Sequence, residues 1–173
     1  MAHAIEMFFD DQADAQVRRL WALLVDAGLP SLATRTHQRH RPHVTLTVTE
    51  SLTDADLSGV RQAVCDADVV LDLPTLARFP SPGGVLFVGV VVTAPLLALH
   101  ERVHEALRSQ PVTHWPHYLP GRWIPHCTLA QDLDRQQMAD AVKLLHDVEP
   151  IRARVTSVGI TDTTTGEISL LTG

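Results

Sequence analysis

Two cysteines in 173 residues, Cys65 and Cys127, are too few for a disulfide framework, and no Cys-x-x-Cys pair exists to build a zinc ribbon or redox couple. A reducing compartment is the expectation. No apolar run reaches membrane-spanning length, and the first ten residues carry neither the basic stretch nor the long apolar stretch of a secretory signal. The chain is expected to be soluble and cytoplasmic, with no membrane partner. Positive charge is also short, since 14 Lys and Arg face 20 Asp and Glu for a formal charge of −6 and a pI near 5.9. A field of that sign argues against a general grip on long duplex DNA or RNA. Only 20% of residues are charged while 45% are hydrophobic, enough at 19.0 kDa for one packed core but not for several independent domains.

The pattern of apolar residues predicts a strand at Ile5 to Phe9, then a helix capped by Asp10 or Asp11 with Val17, Leu20, Trp21 and Leu24 on one face, ending at Gly28-Leu29-Pro30. A polar, basic loop follows from Ser31 to Pro42. His43 to Val48 reads as a strand, Thr53 starts a second helix, and Val69 to Phe79 is extended. Pro80-Ser81-Pro82-Gly83-Gly84 is the densest turn cluster and the natural seam. After it the order recurs: a strand at Val85 to Val92, a helix at Pro95 to Arg108, a long loop at Gln110 to Pro125, a strand at His126 to Ala130, a helix at Arg135 to His146, and a strand at Ile151 to Ile160. A hairpin turning at Thr165-Gly166 closes the chain.

The recurrence has a register. An offset of 83 (126 minus 43) carries Pro42 to Pro125, His43 to His126, Thr45 to Thr128 and Leu46 to Leu129, and also Leu20 to Val103 and Leu24 to Leu107. Two halves of like topology, about 1–79 and 84–173, are therefore expected within a single domain, related by an approximate two-fold.

The aligned residues spell Pro-His-x-Thr-Leu twice. From composition, two copies are expected by chance in roughly 3 of 100,000 such chains. On a strand, residues i and i+2 share a face, so His43 and Thr45 point together, as do His126 and Thr128, while Val44 and Cys127 face the other way. Two imidazole and hydroxyl pairs across a cleft suit phosphate-ester hydrolysis. One neutral His takes a proton from water, the other protonates the leaving oxygen, and the Thr hydroxyls donate to the phosphate. No metal or cofactor is needed for that chemistry. Which His is the base is hidden by the symmetry of the motifs.

The doubled motif, its separation and the Arg122-Trp123-Ile124-Pro125 lead-in make the chain resemble the 2H phosphoesterase superfamily, in particular its 2′-5′ RNA ligase-like branch. The resemblance spans nearly the whole chain. It implies an α+β bilobal fold, with two pseudo-two-fold-related lobes of mainly antiparallel sheet and flanking helices around a central cleft. It further implies action on 2′,3′-cyclic phosphates or 2′-5′ linkages at a small nucleotide or RNA terminus, and carries His43, Thr45, His126 and Thr128 as the catalytic set. Many relatives place a basic residue after Leu-Ala of the second motif, whereas Gln131 stands here.

A second pattern competes. His100-Glu101-Arg102-Val103-His104 fits HExxH, whose two His can bind zinc from one helix face. It is expected by chance at about 0.02 per chain and is far less surprising than the doubled motif. His100 also falls within the apolar stripe of its helix, with His104 at the border, so semi-buried helix histidines are the expected reading and a zinc hydrolase the remote one.

Acid is missing from two windows. None occurs between Asp26 and Glu50 or between Glu105 and Asp132, and each window contains one motif. Arg39 and Arg122 are the expected phosphate neighbours there, and Trp123 and Tyr118 the rings to stack on a base, unless those rings pack the junction between lobes. A binding module that keeps the cleft without turnover is the alternative function. A monomer is the favoured state.

Overall fold

The computed structural model describes residues 2–80, 83–108 and 113–172. Ser81 and Pro82 of the expected seam and Gln110 to Val112 of the second loop lie outside the described residues.

The first strand, β1 (His3–Phe9), is buried along almost its whole length and is paired on both sides. Asp10 then caps α1 (Asp11–Asp26), accepting the N–H groups of Gln12 and Ala13 at 3.1 Å, and buries Ala13, Val17, Leu20, Trp21 and Leu24. The helix stops where Gly28 takes φ +70° and Leu29 N–H donates back to Leu24 O, a left-handed ending that glycine adopts without a Cβ clash. The 31–42 segment is a loop with one 3-10 turn (Leu32–Thr34), whose Leu32 is buried. β2 (His43–Thr49) follows, then α2 (Asp54–Val64), opened by a reciprocal capping box between Thr53 and Asp56.

The extended segment expected at 69–79 is two strands. β3 (Val70–Leu73) and β4 (Thr75–Phe79) part at Pro74, which has no N–H for a ladder, and they enter different sheets. The second half supplies β5 (Gly84–Gly89), α3 (Ala94–Leu107), a 3-10 turn (Pro116–Tyr118), β6 (His126–Leu133), α4 (Arg135–Leu144), β7 (Ile151–Asp162) and β8 (Ile168–Leu170). β5 ends before Val91 and Val92, which are exposed.

The fold is α+β with antiparallel sheets. One sheet runs β2-β1-β7-β3, with β8 also on β7, and the other runs β4-β5-β6. Each therefore draws strands from both halves of the sequence: β7 joins β1 and β2, and β4 joins β5 and β6. The arrangement keeps an internal likeness, since β1 lies between β2 and β7 just as β5 lies between β6 and β4. β2 and β6, the two motif strands, are each at a sheet end and lie against one another. α1 packs on β1, β7 and β6, while α3 packs on β2 and α2. One continuous apolar core joins these layers. Among the described residues no helix is long and apolar enough to cross a membrane.

Candidate active site

His43 and His126 are the first residues of β2 and β6, each preceded by a buried proline. The residue before a proline is held extended, which turns the carbonyl two positions before each histidine toward its ring. The two contacts match: His43 Nδ1 is 2.6 Å from Arg41 O, and His126 Nδ1 is 2.7 Å from Ile124 O. A carbonyl only accepts, so each Nδ1 carries a hydrogen and any proton transfer by either ring falls to Nε2. Thr45 and Thr128 follow on the same strand faces. All four side chains line one cavity of about 690 Å³ between the two sheets.

The surroundings of the two rings differ. His126 sits among Phe79 and Phe87, with centroids 4.9 Å away in both cases. Burial lowers its pKa below the ordinary 6.5, the nearby His43 adds to that, and the Ile124 carbonyl opposes it. His43 has instead the carboxylate of Glu6, with Oε1 3.3 Å from Nε2. Glu6 is only 6% exposed, and its other oxygen accepts the Thr161 hydroxyl at 2.5 Å. Sequence reasoning passed over Glu6. Its signal was present as the one acid within the apolar run from Ala4 to Phe9.

Of the expected substrate-binding residues, Tyr118, Arg122 and Trp123 line the cavity, and Arg39 does not. Arg39 is exposed, and its backbone N–H donates to His37 Nδ1 at 3.0 Å. The other arginines of its window are engaged elsewhere. Arg35 pairs with Asp132 on β6, and Arg41 lies over the Phe8 ring at 4.7 Å. The wall on that side is formed by Thr36, His37 and His40 instead. Burial and the charges of His37, His43 and Arg35 push His40 down to about 4. Gln131, standing where a basic residue was the family expectation, does reach the wall.

Tyr118 is half-buried, and its hydroxyl is pushed up to about 12 by burial and by the charge of Glu6, with a hydrogen bond to the Thr45 side chain acting against them. The Trp123 indole N–H donates to Thr45 O at 2.9 Å, and its ring is stacked on His100. One face of Trp123 is therefore occupied by protein. Trp115, 45% exposed and also on the cavity wall, has more surface free. His100 and His104 of the HExxH pattern are buried. His100 Nε2 is committed to Tyr118 O at 2.8 Å, and among the described residues no three His, Cys, Asp or Glu side chains are arranged to hold a metal ion.

Antiparallel sheets that bring two Pro-His-x-Thr-Leu strands to one cavity define a two-histidine phosphoesterase fold. Residues 9–167 match the family model described as the 2′-5′ RNA ligase superfamily, and the chain belongs to that family. No curated protein matches it. Among solved structures, Escherichia coli LigT in its apo form is similar at 16% identity and a TM-score of 0.64, over 98% of this chain and 93% of that one. LigT complexed with 3′-AMP gives 13% and 0.60, over 97% and 91%. Kluyveromyces marxianus Usb1 with uridine monophosphate gives 12% and 0.54, over 99% and 97%. Likenesses at this identity show the fold.

Proposed function

We propose that the protein is a metal-independent phosphodiesterase that opens 2′,3′-cyclic phosphates, or cleaves 2′-5′ linkages, on nucleotides and RNA ends. The observation that supports it is one cavity holding two imidazoles with Nδ1 committed to backbone carbonyls, each beside a threonine hydroxyl. The structures of LigT with 3′-AMP and Usb1 with uridine monophosphate support a nucleotide as the ligand class.

The surroundings of the rings favour distinct roles. His126, lowered by its aromatic corner, is neutral at pH 7 and takes a proton from water as the water oxygen attacks phosphorus. His43 faces a carboxylate and carries the proton that goes to the ester oxygen as its bond to phosphorus breaks. One P–O bond forms and one breaks, a proton leaves His43, another arrives on His126, and exchange with solvent restores both. Thr45 and Thr128 donate to the non-bridging oxygens, and Arg122 screens the charge from the rim.

The test is hydrolysis of 2′,3′-cyclic mononucleotides in the presence of EDTA. Activity is expected to persist with chelator and to fall by about 10²-fold or more in His43→Ala and in His126→Ala. A nitrophenyl phosphodiester, whose leaving group needs no proton, separates the roles: it is expected to restore much of the rate to His43→Ala and little to His126→Ala. Nucleotide binding without turnover, or turnover indifferent to both substitutions, overturns the reading.

A further inference from the structure

The HExxH pattern on α3 has no part in the chemistry above, yet His100 and His104 are 1% and 8% exposed and belong to one file of rings. Trp123 stacks flat on His100, with centroids 4.1 Å and planes 6° apart; His104 follows at 4.5 Å and His114 at 4.9 Å beyond it. Both ends of the file are tied to β2. His114 Nδ1 lies 3.0 Å from Thr47 Oγ1, and the Trp123 indole N–H donates to Thr45 O at 2.9 Å. Between them, His100 Nε2–H donates to Tyr118 O at 2.8 Å, and the Tyr118 hydroxyl meets the Thr45 side chain. His100 thus backs two residues that converge on Thr45. Burial lowers the pKa of His100 and His114 and, with those two neighbours, takes His104 down to about 4, so the file is uncharged at neutral pH.

The second motif shows what the file stands in for. Thr128 O is held at 3.1 Å by the indole of Trp21, directly from α1. The residue 83 positions beyond Trp21 is His104 on α3, whose Nε2 is buried with no hydrogen-bond partner. Thr45 O is reached by Trp123 instead, from the loop before β6. A ring carried on a loop needs backing to be placed as firmly as one carried on a helix.

We propose that His100 is a positioning residue for the first motif: its ring sets Trp123, its Nε2–H sets Tyr118, and together they fix where the Thr45 hydroxyl meets a phosphate oxygen. This rests on Thr45 being a phosphate donor, as read above. His100→Asn, which removes the ring, and His100→Phe, which keeps the ring but removes the N–H, are each expected to lower kcat/KM for a 2′,3′-cyclic mononucleotide about tenfold. In a Thr45→Val background the same changes are expected to cost less than about twofold, because their effect passes through Thr45. Additive losses, or full activity in both single variants, overturn the proposal.

A measurement without turnover separates this from failure of the hydrolase reading. The NMR signal of the Trp123 indole N–H, identified by its loss in Trp123→Phe, is expected to shift and to exchange at least about tenfold faster in His100→Asn while the Trp21 indole signal stays in place. A stationary Trp123 signal, or equal movement of both, overturns the link. Should His100→Asn not fold, Trp123→Phe leaves α3 untouched and tests the same path, with a loss that again vanishes in the Thr45→Val background.

Discussion

Glu6 on β1 and Phe79 on β4 line the same cavity from different sheets, and each bears on what the neighbouring histidine does. The motifs themselves are alike down to the Nδ1 contact, so the different roles proposed for the two histidines rest on residues outside them. Glu6→Gln keeps the shape and removes the charge beside His43. It is expected to lower kcat about tenfold or more on a cyclic nucleotide with little change in KM, and to matter much less on a nitrophenyl ester. Phe79 acts in the opposite sense, by burial. With His126 as the base, activity requires its neutral form, so kcat/KM is expected to fall on the acid side with a midpoint below 6.5, the direction of its shift. Phe79→Ala, which lets water reach the ring, is expected to move that midpoint up toward 6.5; a midpoint at or above 6.5 in the unaltered protein speaks against the assignment. The histidines and threonines were legible in the sequence because a repeated local motif needs no tertiary information. Glu6 was not, because it meets His43 only through the pairing of β1 with β2, and Arg39 lies off the cavity wall: an acid-free window does not determine which side chains turn inward.

The element boundaries show the same division between local and distant causes. Two helix starts were readable, since Asp10 and Thr53 hold N–H groups two or three residues ahead, while the same role of Asp134 before α4 appears in the structure. The parting of β3 from β4 had a local signal in Pro74, but which sheet each piece enters was not readable, because that is set by the partners, β7 for one and β5 for the other. Asp10 links both kinds of cause: besides capping α1, its Oδ2 accepts Arg154 N–H of β7 at 2.6 Å. Burial works against its charge, but the N–H groups of Ala13, Arg154 and Gln12 prevail and hold its pKa below the ordinary 3.8. Asp10→Ala is expected to cost about 1–2 kcal/mol in urea unfolding at pH 7. A carboxyl lowered by folding stabilises above its unfolded pKa and loses that contribution as pH falls through the folded value. The gap between Asp10→Ala and the unaltered protein is therefore expected to narrow below pH 3.8, and a gap that stays constant there removes the charge from the explanation.

At the scale of the molecule, the formal charge of −6 and the phosphate binding proposed for the cavity are compatible because the cavity wall is nearly neutral. It carries Glu6, Arg122 and the histidines 37, 40, 43, 117 and 126. A ligand held mainly by hydroxyls, imidazoles and one guanidinium releases few counterions. The slope of log affinity against log salt for a mononucleotide is accordingly expected to be about −1 or shallower, and a steep slope would place binding on an extended basic surface instead. The sheets carry the other consequence. β1 has β2 from its own half and β7 from the other, while β5 has β6 from its own half and β4 from the other, so a repeat visible in the sequence as two consecutive halves is not two separable units. A chain of residues 1–80 lacks β7, leaving one long side of β1 unpaired and β4 without its sheet, and a two-stranded remnant is marginal in water. Such a fragment is expected to show no cooperative thermal or urea transition, and co-expression with the remaining residues is expected to restore both the transition and nucleotide binding. A cooperative melt by residues 1–80 alone would mean that the exchanged strands are additions to lobes already stable, and that the cavity is assembled from finished parts rather than formed as the halves fold through one another.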